Sequence, residues 1–550
     1  MKKPKSSSTS LLKKESIYNY LRQLNSASLP PPTSSNHFSL RQLIIRFINI
    51  FRKVLYPQTI PPKSTSTTSD TATNAPLAES AVGCPFFGNY IFSGDSKNGP
   101  GKFWRYISQK LNHPGIFNVA FLGRPMTVVY GLDNMKNVLD REFKSAEDGG
   151  IVTGQMSSSQ AALEIVGTES LLRSQDKSEH SWLRKLVGQS MNPGAVSESI
   201  TQLVKGAELA LEEMISKGST KDGVVMEDVC TQYTLDVAWR QILGLSLSKD
   251  EESVFRDAVG HWILGIINPL LMMVPSFMVK HFKSFKARKY LDELILSKIH
   301  DLKQNGPDGS TLSAMVYATD EEEGKNGVKE QRLSQTQIMD NALLLILAGS
   351  ETSASTLTTA IMFLGLYPEI YQKIQEEQQN LQEKYGYDHE LTKQMLDEMT
   401  YLDAFIRETT RIKPLNAGAP RVTRDTIVVD GKQIPKEWPV ICNVMLTHSL
   451  DPKTIETDGL GNNMDINKGF KPERWLDEET KPSAWMAFGY GPRFCLGYNL
   501  AMAEMKVFLA LVARNVEFSL INGTKDIKWQ KMSIIPKPKD GALINVKTKN

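Results

Sequence analysis

The chain has 550 residues, 41% apolar and 8% aromatic, enough for one large domain or several small ones with a sizeable core. Its 64 basic and 61 acidic side chains leave a formal charge of +3, without the basic stripe of a nucleic-acid-binding protein. Cys84, Cys230, Cys442 and Cys495 form neither a metal-finger spacing nor a disulfide scaffold, and the eight histidines include no HExxH pair, which argues against a zinc hydrolase.

Residues 1–80 differ from the rest. Ser and Thr supply 22 of them, prolines cluster at Pro30–Pro32 and Pro61–Pro62, and residues 1–70 hold eleven Lys or Arg against Glu15 and Asp70. A stretch so poor in apolar surface is expected to lack a core of its own. Within it, Leu40–Tyr56 places Leu43, Ile44, Phe47, Ile48, Phe51 and Leu55 on one wide helical face, interrupted by Arg41, Arg46, Arg52 and Lys53. Such a helix is too charged to span a bilayer. It suits a membrane surface, an organelle transit segment or a helix packed on the domain.

From residue 81 the chain reads as one folded unit with no internal repeat and no second domain. Phe117–Val129 is β-prone around a Gly-Arg-Pro turn. A long helical middle follows, with Glu179–Ser190, Ala207–Met214 and Thr234–Leu243 as clear pieces. Trp262–Val279 is very apolar, and its methionines suit an irregular ligand. Charged, Gly-containing Asp320–Lys329 predicts an exposed loop. Gln337–Tyr367 predicts a long apolar helix stopped by Pro368, and Glu369–Lys384 a charged one. Leu396–Ile412 predicts one amphipathic helix, Thr426–Val429 a strand and Ala501–Val512 a last helix. The sum is a mainly α protein with smaller β-sheets.

The segment Phe488–Gly497 reads FGYGPRFCLG. Gly489, Gly491 and Pro492 forbid a regular helix and predict a tight loop. After Gly497 the pattern turns helical, so Cys495 stands at a helix N-terminus, where backbone N–H groups stabilise a thiolate. Glycine beside a sulfur also lets a flat cofactor approach, and Arg493 can reach an anionic edge. On residues alone this is a redox thiol, a core thiol or a metal ligand.

The segment resembles the cysteine-ligand loop of the cytochrome P450 family, F-x-x-G-x-R-x-C-x-G. Phe488, Gly491, Arg493, Cys495 and Gly497 fill every fixed position. Three further constellations match in order. Ala348–Thr352 resembles [AG]-G-x-[DE]-T, Glu408 and Arg411 resemble E-x-x-R, and Phe470–Trp475 resembles the P-E-R-W segment with Arg474. His180 and Arg184, four apart on one helix face, resemble a W-x-x-x-R helix with histidine in first place. That feature belongs to the branch with sterol, retinoid and brassinosteroid oxidases. The resemblance runs from Cys84–Asn89 to the C-terminal hairpin at Met532–Pro538.

The resemblance implies a single P450-type haem domain over 81–550. It implies b-type haem bound by Cys495, with Phe488, Gly491 and Gly497 shaping the loop. Arg493, His180, Arg184 and Arg421 would meet the propionates. Gly349 would open the distal helix, and Glu351 and Thr352 would deliver protons to bound oxygen. Glu408, Arg411 and Arg474 would form a structural network. The implied activity is a haem-thiolate monooxygenase acting on O2 and an apolar small molecule such as a sterol, retinoid or other terpenoid. Electrons would come from a separate NADPH-dependent flavoprotein reductase or a ferredoxin. The implied location is a membrane surface, the cytoplasmic face of the endoplasmic reticulum, with plastid as rival. Alternative readings are a haem-thiolate isomerase or synthase working without external electrons, and a non-catalytic haem-binding protein.

Overall fold

The computed structural model describes residues 75–80, 101–121, 124–153, 167–218, 220, 222–267, 280–324, 327–415, 418–523, 528–530, 535 and 537–549. Leu40–Tyr56, Cys84 and residues 268–279 of the apolar stretch lie outside them.

In chain order the helices are α1 (Gly101–Lys110), α2 (Leu132–Leu139), α3 (Lys177–Val187), α4 (Pro193–Gly218), α5 (Met226–Val237), α6 (Lys249–Ile267), α7 (Lys283–Asn305) and α8 (Thr311–Tyr317). Then come α9 (Gln335–Leu366), α10 (Pro368–Tyr385), α11 (Lys393–Glu398), α12 (Thr400–Ile412), α13 (Val444–Ser449), α14 (Pro452–Asp458) and α15 (Tyr498–Asn515). The strands interleave as β1 (Ile116–Phe121), β2 (Arg124–Val129), β3 (Ile151–Thr153), β4 (Val224–Val225), β5 (Thr319–Gly324) and β6 (Gly327–Arg332). They continue as β7 (Gly418–Thr423), β8 (Ile427–Val429), β9 (Lys432–Ile434), β10 (Pro439–Asn443), β11 (Val516–Leu520) and β12 (Leu543–Thr548).

A five-stranded sheet in the order β1-β2-β10-β7-β3 flanks the helical body. Its pairs are antiparallel except β2 with β10, where Val128 lies opposite Ile441. The helical body intervenes in sequence between those two parallel strands, as a parallel pair needs a long crossover. Strand β12 lies between β11 and β4 in a second sheet. The largest core cluster gathers around α4, α5, α9, α12 and α15, with Leu203, Tyr233, Leu357, Phe405 and Phe508 buried in it.

Helix α9 is the axis of that core. Ser334 and Gln337 form a reciprocal capping box, and 32 residues give a rod of about 48 Å. Pro368 does not merely stop it: Pro368 is the first residue of α10, where its missing N–H costs nothing.

Three expected elements come out differently. Asp320–Lys329 is not a loop but most of the β5–β6 ribbon, register Thr319 to Arg332. Gly324 lies opposite Gly327, and the charge of the segment conceals this antiparallel pairing in the sequence. Leu396–Ile412 is two helices broken at Met399. Thr234–Leu243 leaves α5 for a turn of π-helix at Ala238–Ile242. The described part of the apolar stretch ends α6, with Trp262 buried and Leu264 exposed.

Candidate active site

Cys495 sits between a glycine turn and α15. Gly489 and Gly491 have φ of 85° and 69°, in the left-handed region that side chains disfavour. The Cys495 N–H donates to Phe488 O at 2.9 Å, closing the loop. The Phe488 ring meets Trp485 and Tyr498 edge to face at 5.7 and 4.9 Å. Burial raises the Cys495 thiol above its usual pKa, while the Gly497 N–H and the Arg184 charge pull the other way.

A cationic cluster adjoins the loop. Glu142, which the sequence reading did not single out, accepts from Arg421 Nε and Arg493 Nε, each at 2.7 Å. Arg493 also donates to the carbonyls of Leu171 and Leu172 at 3.3 Å and to Ser174 O. Phe143 has φ of 65°, rare for a bulky residue. Its ring packs 4.7 Å from that of His180 and lies under the Arg493 guanidinium at 4.9 Å. Burial, then the charges of Arg493 and Arg184, lower the His180 imidazole to about 4, so it is neutral near pH 7. Among the described residues no acceptor holds Arg184. Two guanidiniums thus share one carboxylate, and Arg184 adds a third positive charge beside His180, an excess of two positive charges.

Helix α9 supplies the second wall. It is buried over most of its length, yet Ala348 is exposed and Leu347, Gly349, Glu351 and Thr352 are half-buried. A Cβ on Gly349 would meet Ile242 of the π-turn at an ordinary 3.6 Å, so packing on that side does not require glycine there. The Thr352 hydroxyl donates to Ala348 O at 2.5 Å. Glu351 pairs with Lys537 Nζ at 3.1 Å, a partner the sequence gave no sign of. Ser353 hydrogen-bonds buried Glu504 of α15, joining this wall to the cysteine helix.

Glu408, Arg411 and Arg474 come together as one buried network. Both Glu408 oxygens take Arg411 at 2.8 Å. Arg474 Nε reaches Glu408 at 3.0 Å and its Nη2 reaches Asp458 at 2.7 Å. Burial opposes ionisation of Glu408, but the two arginines and the Lys471 N–H hold its pKa below the usual range. Trp475 Nε1 donates to Glu408 at 2.9 Å, and its ring meets Trp485, which meets Phe488. The network is therefore continuous with the cysteine loop through three aromatic rings.

The cytochrome P450 family profile matches residues 79–546, most of the chain. The chain is a cytochrome P450. Among its curated relatives is cytochrome P450 26A1 of Xenopus laevis, 25% identical over 83% of this chain and 87% of the relative. Another is 7,8-epoxymelianol synthase CYP88A51 of Citrus sinensis, 25% identical over 86% and 91%. The solved structure of retinoic acid bound cyanobacterial CYP120A1 has the same fold, with TM-score 0.69 at 23% identity, covering 86% of this chain and all of that one.

Cytochromes P450 carry haem on a cysteine thiolate, and this P450's residues fit that group. A thiol at a helix N-terminus, glycines at the loop and a locally exposed strip on a buried helix leave room for a flat ring. The surplus of two positive charges matches two propionates. The sequence reading missed Glu142 and Lys537, because each acts through partners more than 180 residues away, and Trp485, because it belongs to no spaced motif.

Proposed function

We propose that this cytochrome P450 is a monooxygenase for an apolar substrate of retinoid, sterol or other terpenoid type, with Cys495 as the haem ligand. The observation that carries the reading is the Cys495 loop beside the Arg184–Arg421–Arg493 cluster. Haem bound there supplies dioxygen activation and insertion of one oxygen atom into a C–H bond or double bond, with the thiolate pushing electron density toward O–O cleavage.

The chain's own groups orient and protonate. The Cys495 sulfur accepts from the Gly497 N–H, which tunes its donation. Arg184, Arg421, Arg493 and neutral His180 hold the propionate edge. Thr352 uses its hydrogen on Ala348 O, and its oxygen lone pairs can accept from a water beside the reacting oxygen. Glu351 supplies the proton. The family resemblance would assign the apolar stretch Trp262–Val279 to the cover of the substrate channel. Electrons come from a separate reductase or ferredoxin. The name of the 7,8-epoxymelianol synthase relative, and the retinoic acid bound to the structural neighbour, support the substrate class. Residues 1–80 tether the domain to a membrane surface, with the endoplasmic reticulum favoured. No helix among the described residues is long and apolar enough to cross a membrane.

Reduced protein with carbon monoxide should show the red-shifted Soret band of thiolate ligation, and Cys495→Ala should lose it. A normal band in that variant overturns the assignment. Conversion of substrate at full rate with no electron donor would replace the monooxygenase with an isomerase.

A further inference from the structure

Glu142 bridges two guanidiniums beside the cysteine loop. One carboxylate oxygen takes Arg421 Nε and the other takes Arg493 Nε, each at 2.7 Å. The side chains of Glu142, Arg421 and Arg493 are 3%, 6% and 8% exposed, so salt screens these charges little. The backbone fixes the carboxylate in place. Glu142 N–H donates to Leu139 O at 3.1 Å, and Glu142 bridges Ile151 of β3. Strand β3 pairs with β7, where Thr153 lies opposite Arg421. Phe143 follows at positive φ, with its ring against both His180 and Arg493. Such a conformation persists only where the surroundings over-determine it.

The two arginines are used differently. Arg493 gives Nη1 to the carbonyls of Leu171 and Leu172 and Nη2 to that of Ser174. Arg421 gives Nη1 to Pro420 O, and among the described residues no acceptor meets its Nη2. Glu142 engages each arginine through Nε alone. It therefore cancels one charge and leaves the Nη2 donors of Arg421 for a further acceptor. The field left over is positive. Burial first, then the charges of Arg493 and Arg184, lower the His180 imidazole to about 4 against the pull of Glu142.

We propose that Glu142 is a positioning residue that sets the charge of the haem edge, cancelling one of three guanidiniums so that the remaining two match two propionates, and so sets the reduction potential of the iron. The inference rests on the propionate reading of Arg184, Arg421 and Arg493. Three guanidiniums, the Glu142 carboxylate and two propionates sum to zero, and neutral His180 adds nothing. Without the carboxylate one positive charge is uncompensated. Reduction adds one electron from the redox partner to the iron centre, so an added positive charge favours the reduced form. Removing the Glu142 charge therefore moves the potential upward.

The test is spectroelectrochemical titration of the substrate-free holoenzyme. Glu142→Gln keeps the size of the side chain and an accepting oxygen but loses the charge. It should favour reduced iron about tenfold, a rise of about 59 mV for one electron. Adding Arg421→Gln to Glu142→Gln removes the surplus charge and should return the potential to the native value. A structural disturbance would not be reversed by a second substitution. An unmoved potential in Glu142→Gln overturns the proposal, and so does a double variant whose potential stays high. If Glu142→Gln does not load haem, Arg421→Gln decides alone. It leaves one negative charge in excess and should lower the potential, and an unmoved or raised potential overturns the proposal.

Loading of apoprotein with haem dimethyl ester, which lacks the propionate charges, judges the propionate reading separately. Native protein should take up that ester poorly. Uptake equal to that of ordinary haem means the propionate reading is wrong, and the charge match falls with it. Poor uptake of the ester with an unmoved potential in Glu142→Gln leaves the propionate reading in place and removes the role of Glu142 alone.

Discussion

Ser350 and Thr352 both donate to the carbonyl four residues back, at 2.6 and 2.5 Å, yet Ser350 is buried and Thr352 is half-buried on the open strip. The same back-bond is packing chemistry in one and leaves lone pairs at an accessible surface in the other. Thr352→Ala should keep normal haem content and substrate binding but lose product per NADPH severalfold, with the missing electrons recovered as peroxide or superoxide. Thr352→Ser should retain more coupling. Measuring NADPH, product and peroxide in one reaction checks this, and full coupling in the alanine variant removes the hydroxyl from the relay. His448 shows a different constraint. Its Nε2 accepts the Met486 N–H and its Nδ1 donates to Arg411 O, each at 3.0 Å. Burial, with the Arg411 charge adding to it, lowers its pKa to about 4. Since the folded pKa lies below the unfolded 6.5, the stability is full above pH 6.5 and is lost as pH falls toward 4. The loss is about 3 kcal/mol over that window. The stability advantage over His448→Gln should therefore shrink by about that amount between pH 6.5 and 4 in urea unfolding.

Helix α12 matters through what one turn of it binds. Glu408 and Arg411 share a face at i,i+3, but the segment that completes the site is Gly469–Trp475, whose Gly469 O, Lys471 N–H, Arg474 and Trp475 all reach the pair. Glu408→Ala leaves two buried guanidiniums, with Asp458 still beside Arg474. A loss of about 3–5 kcal/mol follows from breaking such a buried network. The cysteine loop, tied to it through Trp475 and Trp485, should lose its shape. The expected result is failure to accumulate haem-loaded protein rather than slow turnover. A soluble, haem-replete variant of normal thermal stability would contradict it. The spacing of Glu408 and Arg411 was legible in the chain, and so was Arg474 through the P-E-R-W resemblance. The break at Met399 was not, because Leu396 and Leu402 are buried on both sides of it, so the apolar pattern runs straight through the joint.

At the scale of the whole molecule, the folded unit reaches back before residue 81. Leu77 bridges Gln433 and Ser80 bridges Asn118. Gln433 N–H donates to Pro76 O at 2.9 Å, and Asn118 Nδ2 donates to Ala78 O at 3.0 Å. A chain starting at Ala75 should bind haem and unfold like the full-length protein, and should leave the membrane fraction. One starting at Ala81 loses these bonds and should unfold at lower temperature. Thermal unfolding of both forms and fractionation beside the full-length protein check this. If the full-length protein is wholly soluble, the membrane reading of Leu40–Tyr56 is wrong.

Composition, periodicity and four ordered motifs were enough to determine a mainly α chain, its long central helix and the P450 family. These rest on local rules: glycine where φ is positive, proline at a helix start, a carboxylate and a guanidinium one turn apart. The chain could not disclose that Glu142 joins Arg421 to Arg493, that three tryptophan and phenylalanine rings link Glu408 to the cysteine loop, or that Lys537 holds Glu351. Each of these is a contact between segments far apart in sequence, and a charge or an indole carries no mark of the partner it will meet. Residue spacing encodes geometry only within an element, where the backbone is regular. Between elements, the packing of the core decides which side chains become neighbours.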